Sequence, residues 1–154
     1  MTVIDSIKGI VESIQDLNGV PYFDIGNRKR LNKNLSAKNL VHVFGLKKFP
    51  LIFLLLDIRE TKQNNVEYST EADLDIFIIG RSEFNRTDFW RHENTMPTLR
   101  TISDNFNAAF KQKWYGNFEY DYIERFLPEL DKNTEIIDAI ELHYRNALLT
   151  KCNK

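Results

Sequence analysis

Three carboxylates at alternate positions, Glu71, Asp73 and Asp75, are the residues of this chain whose types and spacing best suit chemistry. Alternate side chains of an extended strand share one face. On such a face a carboxylate cluster can bind a divalent cation, as metal-dependent nucleases do, with Arg59 or Lys62 placed to touch phosphate. However, no lysine follows the acids at short spacing, and no second acidic element completes the set. An exposed strand face, or a charged contact between subunits, is the stronger reading, and no metal ligands are assigned. His92 and Glu93 are neighbours on a helical pattern and project apart. His42 and His143 stand alone in the sequence, and none of the three histidines has the spacing of a metal pair. Cys152 has no neighbouring base or second cysteine to activate it. The six glycines are scattered singly, so no phosphate-binding loop is present. No catalytic residue, enzyme activity or cofactor is expected.

The second feature is charge layout. The net charge of −1 conceals a segregation. Arg28, Lys29, Arg30, Lys33, Lys38, Lys47 and Lys48 give the segment 26–48 a charge of +7 with no acid among them. The rest of the chain is −8, with 14 basic against 22 acidic residues. Such a segment is a solvated loop, a polyanion contact or a dock for an acidic patch on a partner. Single-stranded nucleic-acid binding needs aromatics among the cations. Here the basic segment carries only Phe44, and the aromatic-rich stretch from Trp114 to Phe126 is acidic. Sequence-specific reading of nucleic acid is therefore disfavoured, while a non-specific contact stays open.

At 154 residues, with 42% hydrophobic and 28% charged content, the chain suits one globular domain with an ordinary core. The longest apolar run, Phe49 to Leu56, is far short of the roughly 20 residues a membrane-spanning helix needs. No secretory signal is visible at the N-terminus, and a single cysteine points to a reducing compartment.

The elements that must position these residues follow in order. Val3, Ile4, Ile7, Ile10, Val11, Ile14 and Leu17 repeat at helical spacing, predicting an amphipathic helix over 1–18 stopped by Asn18-Gly19. Residues 20–48 predict a basic arm or hairpin that orders only in an assembly, with a possible short strand at Pro21–Ile25. The run Leu51–Leu56 has no alternation and predicts a strand buried on both faces. Asp57, Arg59 and Glu60 carry it out to solvent, and Thr61 to Asn65 read as a turn. In the next strand Ala72, Leu74, Ile76 and Ile78 face one way, and Glu71, Asp73, Asp75, Phe77 and Ile79 the other. Its first half is thus exposed on one side and its second half covered on both. A helical pattern spans 82–113, starting at Asn85 or Thr87, with a kink or a fresh start capped by Thr95 at Pro97. Residues 114–154 read as a C-terminal extension. Ile136 to Leu149 suits helix and strand alike, and a final strand from about Asp138 joining the sheet edge is favoured. The fold class expected is α+β: a small antiparallel sheet with a central hairpin, packed by the N-terminal helix and a second helix.

This layout resembles the tail-terminator and tail-completion proteins of tailed bacteriophages, which belong to the head–tail connector, or neck. The residues that carry the resemblance are Lys48-Phe49-Pro50-Leu51-Ile52, the strand Leu74-Asp75-Ile76-Phe77-Ile78-Ile79, and Pro97-Thr98-Leu99-Arg100. The stretch from Asn133 to Leu142 also resembles endings of small virion proteins from phages and prophages of Bacteroidetes-type hosts. The resemblance implies a virion protein made in the host bacterial cytoplasm, forming a six- or twelve-fold homo-oligomeric ring through which genomic DNA passes. Portal or adaptor proteins and tail proteins would be its neighbours, with no membrane partner. The basic arm would clasp an adjacent subunit, and Glu71, Asp73 and Asp75 would be its acidic receptor or a lumen face repelling DNA. Two alternatives stand beside this: a metal-dependent nuclease using those three acids, and a host-side adaptor binding an acidic partner through the arm.

Overall fold

A computed structural model describes residues 3–15, 22–31, 49–55, 57–62, 69–81, 86–113, 119–127 and 137–150. The elements are α1 (Val3–Ile14), β1 (Tyr22–Gly26), β2 (Leu51–Leu55), β3 (Arg59–Lys62), β4 (Ser69–Arg81), α2 (Asp88–Asn94), α3 (Met96–Lys113), β5 (Glu119–Leu127) and β6 (Ile137–Thr150). The fold is α+β, as the hydrophobic patterning predicts.

One sheet runs β1-β2-β4-β6-β5, with β3 also paired to β4. All pairings are antiparallel except β1 with β2. β4 is the spine. β2 pairs with its second half, Leu51 opposite Ile79 through Leu54 opposite Ile76. β3 pairs with its first half, Arg59 opposite Asp73 through Lys62 opposite Thr70. Arg59 to Lys62 therefore extend the hairpin where the sequence suggested an exit to solvent and a turn.

Two apolar layers flank the sheet. On one face Ile52, Leu54, Leu74, Ile76, Ile78, Ile140, Leu142 and Tyr144 pack under Val3, Ile7, Ile10 and Val11 of α1 and Met96, Leu99, Phe106 and Phe110 of α3. On the other, Leu51, Phe53, Leu55, Phe77, Ile79, Ile137 and Ala139 form a second cluster with Leu31. This explains the unbroken apolar run: all five residues of β2 are buried because each face of the strand has its own core. Gly80 permits the closest approach of α3, since a Cβ there would lie 2.8 Å from Leu99 Cδ2.

Three expectations are corrected. β6 is not at the edge; it lies between β4 and β5. The supposed C-terminal extension contains both β5 and β6, so it is part of the sheet. β1 belongs to the sheet too, rather than to a free arm, and its parallel pairing with β2 makes the sheet mixed. Of the two expected caps, Thr87 is the one used: the helical pattern starts at Asp88, and the Thr87 hydroxyl accepts the Trp90 N–H at 3.1 Å. At Thr95 it makes a fresh start rather than a kink, which places Pro97 in the first turn of α3, where a missing N–H costs least. The expected stop at Asn18-Gly19 and the patch Leu40–Phe44 lie outside the described residues.

A buried ion pair bolts the helices to the sheet. Asp138, at the start of β6, faces the helix side and is fully buried. Arg91 of α2 donates Nε to its Oδ1 at 2.7 Å and Nη2 to the Ile137 carbonyl at 2.7 Å. The Thr95 hydroxyl donates to Asp138 Oδ2. Removing one member of such a pair strands the other charge in a dry site, at a cost of about 3–5 kcal/mol. Asp138→Ala should therefore lower the unfolding free energy by about that much in urea titrations, and the double variant Arg91→Met, Asp138→Leu should regain a large part of it.

Candidate functional site

On the predicted acidic face of β4, the two described carboxylates, Asp73 and Asp75, are both engaged within the chain. Asp75 lies opposite His143 on β6. Its Oδ1 is 2.5 Å from His143 Nδ1 and accepts a bond from Arg145 Nη1 at 3.1 Å. A carboxylate at neutral pH only accepts, so Nδ1 carries the proton and Nε2 points the other way. Glu141 Oε2 stands 4.0 Å from that Nε2 and bonds to Arg125 of β5. The result is a line of polar side chains, Arg145, Asp75, His143, Glu141, Arg125, crossing three strands. An acid that orients a histidine is half of a general-base device. Among the described residues no nucleophile lies beside Nε2, and no group of three His, Cys, Asp or Glu side chains is placed to hold a metal ion.

Asp73 has a different task. Between Ala72 and Leu74 of β4 there is one residue, while β6 has two, Arg145 and Asn146, between the partners Tyr144 and Ala147. The extra residue makes a β-bulge, and Asn146 takes the left-handed conformation, φ 56°, that asparagine tolerates better than most side chains. Its N–H donates to Asp73 Oδ1 at 2.9 Å. Asp73 thus satisfies a backbone donor beside the irregular step of the ladder. Of Glu71 the structure gives the backbone, paired with Leu148 and with Thr61.

The basic residues of the segment 26–48 divide likewise. A helical turn at 28–31 follows β1, with Asn27 Oδ1 accepting the Arg30 N–H at 2.9 Å. Arg30 folds back over Gly26 to Asp24, with Nη2 to Oδ1 at 3.0 Å and Nε to Oδ2 at 3.2 Å. A side chain at position 26 would block that path, because a Cβ would meet Arg30 Cδ at 2.3 Å. Arg28 and Lys29 are exposed on the turn. Lys33, Lys38, Lys47 and Lys48 lie outside the described residues, as do His42 and Cys152.

The element that sequence reasoning missed is β5. Its helix-side residues are fastened from above. Arg100 of α3 holds Glu124 through Nε–Oε1 at 2.6 Å and Nη2–Oε2 at 3.0 Å. The Tyr122 hydroxyl donates to Glu124 Oε1 at 2.9 Å, and the Tyr120 ring stacks on Tyr144 at 5.3 Å. Burial first, and then the bond to Glu124, push the Tyr122 phenol up to about 12. Glu119 and Asp121, by contrast, are exposed. The signal was present as aromatic and β-branched residues at strand spacing between 119 and 127.

No protein-family model and no curated protein sequence matches this chain. No helix among the described residues is long and apolar enough to cross a membrane.

The Arg100 guanidinium, above all, holds the Glu124 carboxyl below its ordinary value of 4.5, and the Tyr122 hydroxyl adds to this against the effect of burial. A depressed folded-state value means the contribution to stability is complete above that ordinary value and is lost as pH falls through the folded one. Glu124→Gln should therefore flatten the decline in urea midpoint between about pH 5 and pH 3 relative to the parent chain. Identical declines would show that this pair does not contribute to acid sensitivity.

Proposed function

We propose that the chain is a structural subunit of a tailed-bacteriophage head–tail connector, a ring protein of the tail-terminator or tail-completion kind that works through its interfaces. The observation that carries this reading is exposed charge of opposite sign towards the two ends of the strand order. The described carboxylates of the β4 face, Asp73 and Asp75, are engaged by β6. The exposed cations Arg28 and Lys29 and the exposed acids Glu119 and Asp121 stand towards opposite edges of the sheet. A head-to-tail ring needs this kind of surface, because a heterologous contact joins two different patches of one chain.

In this reading the segment 26–48, with Arg28, Lys29, Arg30, Lys33, Lys38, Lys47 and Lys48, clasps a neighbouring subunit. Portal or adaptor and tail proteins stack on the ring in the virion neck, and DNA passes through without sequence-specific contact. A nuclease centred on the β4 acids has less support. Asp73 holds a backbone amide and Asp75 a histidine and an arginine, each through Oδ1, and among the described residues no group of three His, Cys, Asp or Glu side chains is placed to hold a metal ion.

Size-exclusion chromatography with light scattering tests the reading. The chain, alone or with its portal-side neighbour, should elute at a multiple of its 18.2 kDa mass. The double variant Arg28→Glu, Lys29→Glu, which spares the Arg30–Asp24 pair, should lose that assembly. A chain that stays monomeric even with its neighbouring ring present would sink the proposal.

A further inference from the structure

The register of the sheet points to the partner surface of the basic turn. Printed across the strands, one row reads Ile25, Leu54, Ile76, Leu142, Tyr122. It begins on β1 and ends on β5, the two ends of the strand order. Among the described residues nothing pairs with the outer edge of either strand. The exposed turn at 28–30 follows Gly26, one residue beyond that row; Asp121 is also one residue beyond it and Glu119 three, on the same side. These exposed positive and negative charges therefore sit at one height along the strands, at opposite edges.

We infer that the outer edge of β5 receives the β1 edge and basic turn of a second copy of this chain, so that the sheet continues from subunit to subunit. The inference rests on the ring reading above and adds the surface that performs it. Strand direction allows it. β1 is parallel to β2, and β2, β4, β6 and β5 alternate, so β1 runs antiparallel to β5 of the next copy. Continuing the row puts Ile25 opposite Tyr122 and Gly26 opposite Asp121, and leaves the basic turn that follows Gly26 on the Glu119 side. The faces agree as well. Ile25 packs against the core beneath the helices, and Tyr122 bonds to the Glu124 that α3 holds. The helix layers of both copies then lie on the same side of the joined sheet.

β5 is built to act as a template. It is nine residues long, no described residue pairs with its outer edge, and an edge of that length invites pairing. Arg100, Tyr122 and Tyr144 fix its position, so little order remains to be gained on docking. Main-chain hydrogen bonds would supply the contact, and the acids Glu119 and Asp121 would choose the basic turn over another β5, whose like charges would oppose them.

A charge swap tests the pairing. Glu119→Lys, Asp121→Lys and, separately, Arg28→Glu, Lys29→Glu should each weaken self-association by about tenfold or more in light-scattering titrations. Mixing the two variants one to one should restore assembly, because each then meets a complementary edge, native on one side and swapped on the other. That rescue also shows both variants to be folded. Variants that assemble like the parent chain, or loss without rescue, would overturn this interface while leaving the ring reading in place. Loss on reversing β5 with no loss on reversing the turn would overturn it, because the basic turn would then not be the partner of β5. A parent chain that never assembles, with or without its neighbours, overturns both the interface and the ring.

Discussion

The fold depends on one constraint: the second half of β4 must be dry on both faces. Ile76 and Ile78 point to the helices and Phe77 and Ile79 to the opposite cluster, all of them buried. A strand in that position needs a paired neighbour on each side and a cover above and below. β2 and β6 are the neighbours, and α1 with α3 is one cover. The Arg91–Asp138 pair then sets where the α2–α3 corner sits over the start of β6. Buried ion pairs add little net stability against apolar alternatives, but they penalise misplacement heavily. Here the pair fixes position more than it adds strength.

The readable parts of the sequence were those whose periodicity is answered locally. The stripe of α1, the unalternating run of β2 and the switch at Phe77 in β4 each state how many faces are covered, and they did so correctly. β5 and β6 were less legible for a physical reason. Ile140, Leu142 and Tyr144 alternate, but Ile136, Ile137, Ile140 and Tyr144 also fit a helix, and no local rule arbitrates between the two. Strand order was out of reach as well. Placing β6 inside the sheet required knowing that β5, upstream of it, was a strand.

The charged residues show the same limit more sharply. Asp73 and Asp75 look alike in sequence, two carboxylates on one face. The structure gives one a backbone amide at a bulge and the other a histidine 68 residues away. Their partners come from β6, and a cross-strand partner is set by register, which periodicity does not encode. Charge counts across the chain therefore overstated the acidity available on the β4 face. At the two ends of the strand order, exposed charge remains at Arg28 and Lys29 and at Glu119 and Asp121.

The bulge at Asn146 has a consequence for how this chain tolerates change in length. Up to Tyr144 the even-numbered residues of β6 face the helices; after it, odd-numbered Ala147 does. One surplus residue has shifted the phase of the strand, so both halves keep an apolar side towards the same core. Deleting Asn146 alone would close the ladder and preserve every other pairing on either side of it. Deleting a residue elsewhere between Ile140 and Tyr144 would turn one segment inside out, sending Glu141 or His143 into the core. Length is thus editable at this one step of β6 and almost nowhere else along it.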